Sequence, residues 1–83
     1  MKLRIRYFAS LRESLGSGET LELQDGVDVG AARDALIALD ARHAAALART
    51  RAVRCALDQV LCDEAARLHD DAELAFFPPV TGG

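Results

Sequence analysis

Lysine is almost missing from this 83-residue sequence: nine of its ten cationic side chains are Arg, and Lys2 stands alone. A chain so poor in lysine can hardly build lysine-linked polymers of itself. Cysteine is also scarce. Cys55 and Cys62 match no metal-ligand or redox spacing. Two thiols alone do not make a zinc site, and His43 and His69 show no ligand spacing with them. In a reducing compartment both thiols read as small core residues. No apolar run approaches the length of a membrane span, and the alternating start, Met1 to Arg6, has no signal-peptide core. A cytoplasmic protein with no membrane partner is expected. The net charge of −3 argues against a nucleic-acid partner. Nothing resembles a catalytic triad or a pair of carboxylates in a cleft. Gly16, Gly18, Gly26 and Gly30 do not make a phosphate loop. There is no internal repeat.

What remains is one small domain. Half of the residues are hydrophobic, which suits a globular chain, and a chain this short buries only about 60–65% of its unfolded surface. Lys2 to Ala9 alternates with period two, Leu3, Ile5 and Tyr7 on one face and Lys2, Arg4, Arg6 and Phe8 on the other. Ser10-Leu11-Arg12-Glu13 has the form of a capping box, predicting a short helix from Leu11 to Leu15 that stops at Gly16. Glu19 to Leu23 alternates again, and its closeness to the first strand predicts antiparallel pairing. Asp28 is placed to cap the main helix, whose apolar stripe is Val29, Ala32, Leu36 and Leu39, with Arg33 and Asp34 facing away. A break or second short helix is expected near His43. Val53 to Leu57 and Val60 to Cys62 alternate around Asp58-Gln59. Read as a two-residue hairpin turn, this register sets Leu57 opposite Val60, Ala56 opposite Leu61 and Cys55 opposite Cys62. All but Ala56 and Leu61 then share a core face. The two thiols come near enough for a disulfide, which is not expected. Asp63 to Ala72 is polar apart from Leu68, read as a plug into the core. Glu73 to Phe77 is the last strand.

The alternation leaves Phe8, Leu61 and Phe77 on the outward faces of their strands. Gathered together, they would form an exposed apolar patch that marks a protein partner; scattered, they are ordinary surface residues. Phe8 reads equally as a ring folded over the strand rim. Beyond Phe77 the character changes. Pro78 and Pro79 donate no N–H to a ladder and fix φ near −65°. Pro78 also holds Phe77 extended. The body is assigned residues 1–77, and residues 78–83 form an extended tail. Val80 and Thr81 carry on the stiff segment to Gly82 and Gly83, which have no Cβ to collide with a narrow channel.

The run Phe76-Phe77-Pro78-Pro79-Val80-Thr81-Gly82-Gly83 resembles the C-termini of the molybdopterin synthase small subunits, ubiquitin-like sulfur carriers. The resemblance implies an α+β protein of β-grasp fold, a mixed sheet of about five strands wrapped on one main helix. It also implies chemistry. The Gly83 carboxylate is adenylated by an E1-like adenylyltransferase at the expense of ATP and converted to a thiocarboxylate by a sulfur donor enzyme. It then enters the large subunit of a heterotetramer, where it gives sulfur to the pterin precursor Z (cyclic pyranopterin monophosphate). Gly83, with Gly82, is then the reactive end, Pro78 to Thr81 position it, and Phe8, Leu61 and Phe77 bind the partner. No metal or cofactor is expected on the chain itself. Two departures from the pattern stand out: Asp58 occupies a turn position that often carries Asn, and Asp70-Asp71-Ala72-Glu73 replaces Asp-Gly-Asp-Glu. Three other readings remain open. They are a sulfur carrier for another pathway such as thiamine thiazole synthesis, a protein modifier that forms isopeptide bonds, and an inert interaction domain.

Overall fold

Strict alternation in the first strand decides the layering. In β1 (Lys2–Tyr7) every second residue is buried, and Leu3, Ile5 and Tyr7 point inward. The computed structural model describes residues 1–79. Its elements run β1, α1 (Ala9–Leu15), β2 (Gly18–Glu22), α2 (Val29–Ile37), α3 (Ala41–Leu47), β3 (Arg54–Leu57), β4 (Val60–Cys62) and β5 (Glu73–Phe77). The five strands form one mixed sheet in the order β2-β1-β5-β3-β4. β1 pairs antiparallel with β2 and parallel with β5, and β3 pairs antiparallel with both β5 and β4. The helices cover one face. Leu3, Ile5, Tyr7, Cys55, Leu74 and Phe76 meet Leu11, Val29, Ala32, Leu36 and Leu47 in a single core. The sheet is the α+β, β-grasp arrangement, with the main helix α2 joined by the short α1 expected after the first strand and by a second short helix, α3, near His43.

Local chemistry explains most boundaries. Asp28 accepts the Ala31 amide and caps α2 as expected, while Asp40 accepts the His43 amide and starts α3. Gly18 approaches β1 so closely that a Cβ there would lie 2.3 Å from the Ile5 carbonyl oxygen. Asp58 and Gln59 both adopt positive φ, 49° and 68°, the requirement of a type I′ turn. The pairing Leu57–Val60, Ala56–Leu61, Cys55–Cys62 follows. This unfavourable turn sequence is braced from outside: the Asp58 amide donates to the Glu73 carbonyl at 2.8 Å and its carboxylate accepts the Glu73 amide at 3.0 Å. Leu68 does plug the core.

Four expectations fail. The Ser10 capping box does not form. The Phe8 carbonyl already accepts the Leu11 and Arg12 amides, so α1 begins at Ala9 with Phe8 as its cap residue, and Ser10 lies inside the first turn. Leu39 is exposed because α2 ends at Ile37, before the stripe reaches it. Val60 is 67% exposed at the hairpin tip, although it shares a face with Cys55. Arg33 faces inward and is only 4% exposed. Its guanidinium donates to the Leu47, Ala48 and Arg51 carbonyls and to Glu64 at 2.7–3.1 Å, capping the end of α3. Arg49 grips the other Glu64 oxygen and Asp34. Two arginines thus hold the Glu64 carboxyl below its ordinary range, against the opposing pull of burial.

Candidate functional site

The segment that leads into Pro78 and Pro79 starts from the central strand of the sheet. β5 is bonded on both sides, to β1 from Arg4–Glu73 to Tyr7–Phe76 and to β3 from Leu57–Leu74 to Arg54–Phe77. Leu74 and Phe76 are fully buried beneath it. The Phe8 amide bonds the Phe76 carbonyl at 3.2 Å, after which Pro78 offers no donor and the ladder ends. Pro78 and Pro79 are half-buried. Val80, Thr81, Gly82 and Gly83, to which the reactive end and part of its spacer were assigned, lie outside the described residues.

The outward side of the sheet carries all three residues assigned to partner binding. Phe8 is 41% exposed, Leu61 is 64% exposed and Phe77 is half-buried. Phe8 directly follows the end of β1, and Phe77 ends the neighbouring β5. Leu61 lies two strands beyond β5, in register with Ala75 rather than Phe77, which sets it about 12 Å from Phe77 at the usual strand spacing and rise. The row Arg6, Ala75, Ala56, Leu61 runs across the four strands, so the ground between the large side chains is floored by two alanines. The result is an alanine-floored apolar strip, a trough between larger side chains.

Cations frame it. The Arg6 guanidinium lies 5.7 Å from the centre of the Phe8 ring, a cation–π contact, while also pairing with Glu73 at 3.2 Å. Phe8 is therefore held upright beside Arg6, on the outward face. Arg54 flanks Phe77 across the β3–β5 ladder. Arg4 pairs with Asp71 at 3.3 Å. The alternation of the first strand puts Arg4 and Arg6 on the outward side with Phe8; what it cannot give is Arg54 beside Phe77, which depends on the β3–β5 pairing.

Below the trough, the start of β5 is pinned. His69 Nε2 meets the Asp58 carboxylate while its Nδ1 lies 2.9 Å from the Asp70 carbonyl. The Glu73 amide, and then His69, hold the Asp58 carboxyl below its usual range. The Asp58 contact, and then the Asp70 carbonyl, raise the His69 pKa. Asp71 stands where the related motif has Gly and takes the left-handed conformation itself, φ 62°. Asp tolerates that region better than most residues, so the turn keeps its shape without the glycine.

The arrangement suits docking and delivery, and the described residues hold no cluster of three or more His, Cys, Asp or Glu side chains fit for a metal ion. None of their helices is long and apolar enough to cross a membrane.

Known proteins share both sequence and shape with this chain. It is 37% identical over 81 residues to the molybdopterin synthase sulfur carrier subunit of Escherichia coli (strain K12), covering 98% of this chain and 99% of that one. SAMP1, a small archaeal modifier protein of Haloferax volcanii, superposes with a TM-score of 0.78 and 26% identity over the whole of both chains. A protein–protein complex of subunits 1 and 2 of molybdopterin-converting factor from Helicobacter pylori contains a chain of the same fold, with a TM-score of 0.68 and 21% identity over the whole of both chains. The ThiS family model matches residues 5–83, and the chain belongs to the ThiS family.

Proposed function

We propose that this chain is the sulfur-carrying small subunit of a molybdopterin synthase. The observation that carries the reading is its near-full-length kinship with the E. coli sulfur carrier subunit. The geometry of the described residues supports it: the central strand leads into Pro78 and Pro79 next to an apolar trough framed by arginines. In this reading the partner is a large subunit, as in the two-subunit complex from H. pylori; the trough is the surface that docks on it, and the assembly is a heterotetramer. Phe8, Leu61 and Phe77 make the contact, and Pro78 to Thr81 span the distance to the partner's active site.

The reactive group is the Gly83 carboxylate. A carboxylate is a poor electrophile because it is anionic and its oxygen leaves badly. On an E1-like adenylyltransferase that oxygen attacks the α-phosphorus of ATP, pyrophosphate leaves, and the oxygen can then depart as part of AMP. A sulfur donor enzyme then delivers sulfur to the acyl carbon, giving a thiocarboxylate that is ionised and nucleophilic through sulfur near neutral pH. This species gives its sulfur to precursor Z. The partners supply the ATP site and the acid–base groups, and Gly82 leaves the approach free of side chains.

The test is mass spectrometry of the C-terminal peptide after expression with the activating enzyme and a sulfur source. Sulfur in place of one oxygen, localised to Gly83, is the expected result; an unmodified Gly83 beside a charged control carrier refutes it. Likeness to SAMP1 favours a second reading, a protein modifier. That reading requires Gly83 joined to lysine side chains of other proteins, and the same spectra would reveal those branched peptides.

A further inference from the structure

Across the β3–β4 hairpin, on the side away from the trough, the two cysteines face one another. Their sulfur atoms are 3.6 Å apart, with the Cys62 thiol directed at Cys55 Sγ and the Cys55 thiol at the Cys62 carbonyl, 3.4 Å away. Both are free thiols. They differ in access: Cys55 is buried, while Cys62 is half-exposed on the edge strand. Both line an open cleft with Val53, Arg54, Asp63 and Glu64. The register holds them opposite one another, and the bracing of Asp58 to Glu73 leaves the strands little freedom to slip.

We propose that Cys55 and Cys62 form a redox modification site, in which a hydroperoxide entering the cleft converts the pair to a disulfide within the hairpin. The Cys62 thiolate attacks the peroxide: an S–O bond forms, the O–O bond breaks, and the departing oxygen leaves protonated. Cys55 Sγ then attacks the Cys62 sulfur. The S–S bond forms, the S–O bond breaks, and the hydroxide leaves as water with the Cys55 proton. The two thiols lose two electrons and two protons, and hydrogen peroxide becomes two waters. Access sets the order of events. Burial first, and then the Cys62 contact, push the Cys55 thiol up to about 12, so Cys55 is a poor first target for the oxidant. It is nevertheless a ready second nucleophile, because it already sits against the atom it must attack. Closure ties the hairpin at the end opposite its turn, with Leu61 next to the bond. The inference rests on the two thiols and is independent of the carrier reading.

The reduced, folded chain is treated with hydrogen peroxide, then alkylated under denaturing conditions and weighed. The expected result is joint loss of both thiols in a monomer lighter by two hydrogens, reversed by dithiothreitol. In Cys55→Ser, a sulfenic acid at Cys62 is expected to be trapped by dimedone; in Cys62→Ser, Cys55 should stay reduced. Three outcomes would overturn the proposal: oxygen accumulating on Cys62 while Cys55 still alkylates in the unsubstituted chain, disulfides only between chains, or Cys55 oxidising as fast without Cys62. The unsubstituted chain carries the main test even if a variant fails to fold.

Discussion

The two edges of the sheet are finished differently. At the β2 edge, polar groups tie strand to helix. The buried Tyr7 hydroxyl donates to Glu19 at 2.7 Å, and His43 from α3 reaches the same Glu19 oxygen at 2.6 Å and Asp40 at 2.8 Å. At the β4 edge, a three-residue strand exposes Val60 and Leu61. An edge closed by its own side chains serves the fold. An edge that shows hydrocarbon to water, next to the strand ladder that carries the tail, is free to serve a partner.

Substitutions sharpen this contrast. The largest effect belongs to the centre that both edges share: Phe76→Ala should cost about 4 kcal/mol by leaving a cavity under β5, measured by chemical denaturation. At the tied edge, Glu19→Leu strips Tyr7 and His43 of their common acceptor and should cost about 2 kcal/mol. The same edge should show a pH signature. Burial works against a charged His43, but its bonds to Glu19 and Asp40 prevail and its pKa is raised above 6.5. Its stabilisation is therefore full below that pH and is lost as pH rises through the higher folded value. The exposed His69 shifts in the same direction, so the difference between the parent and His43→Gln isolates the effect. A difference in stability that does not change with pH across that window would contradict the assignment. At the open edge, Leu61→Ser should change stability by less than about 0.5 kcal/mol yet weaken binding to the large subunit several-fold. A loss of folding instead would make Leu61 a structural residue and erase the contrast.

The sequence made the strands legible because each has one apolar face, and a period-two pattern survives even in short segments. The hairpin register was readable for the same reason, although its turn residues argued against it; the missing support came from Glu73, fifteen residues away, which no local rule contains. Arg33 was misplaced because a polar–apolar pattern has no symbol for a buried guanidinium that satisfies four acceptors. Val60 was misplaced because its strand runs out past the surface meant to cover it, and Leu39 because its helix stops at Ile37, short of the apolar stripe's last position. Of the candidate site, the outward position of Phe8, Leu61 and Phe77 followed from parity alone. The cationic frame did not, since it depends on which strands become neighbours, and the parallel β1–β5 pairing joins opposite ends of the described chain.

That pairing has a consequence for how the molecule is made. β5 is the last strand in order but lies in the middle of the sheet, so β1 and β3 have no shared partner until it arrives. A product broken off before Glu73 would lack the keystone of its own core and would be left to proteolysis. Such a fragment would carry Phe8 and Leu61 without the strand that joins their two halves of the sheet.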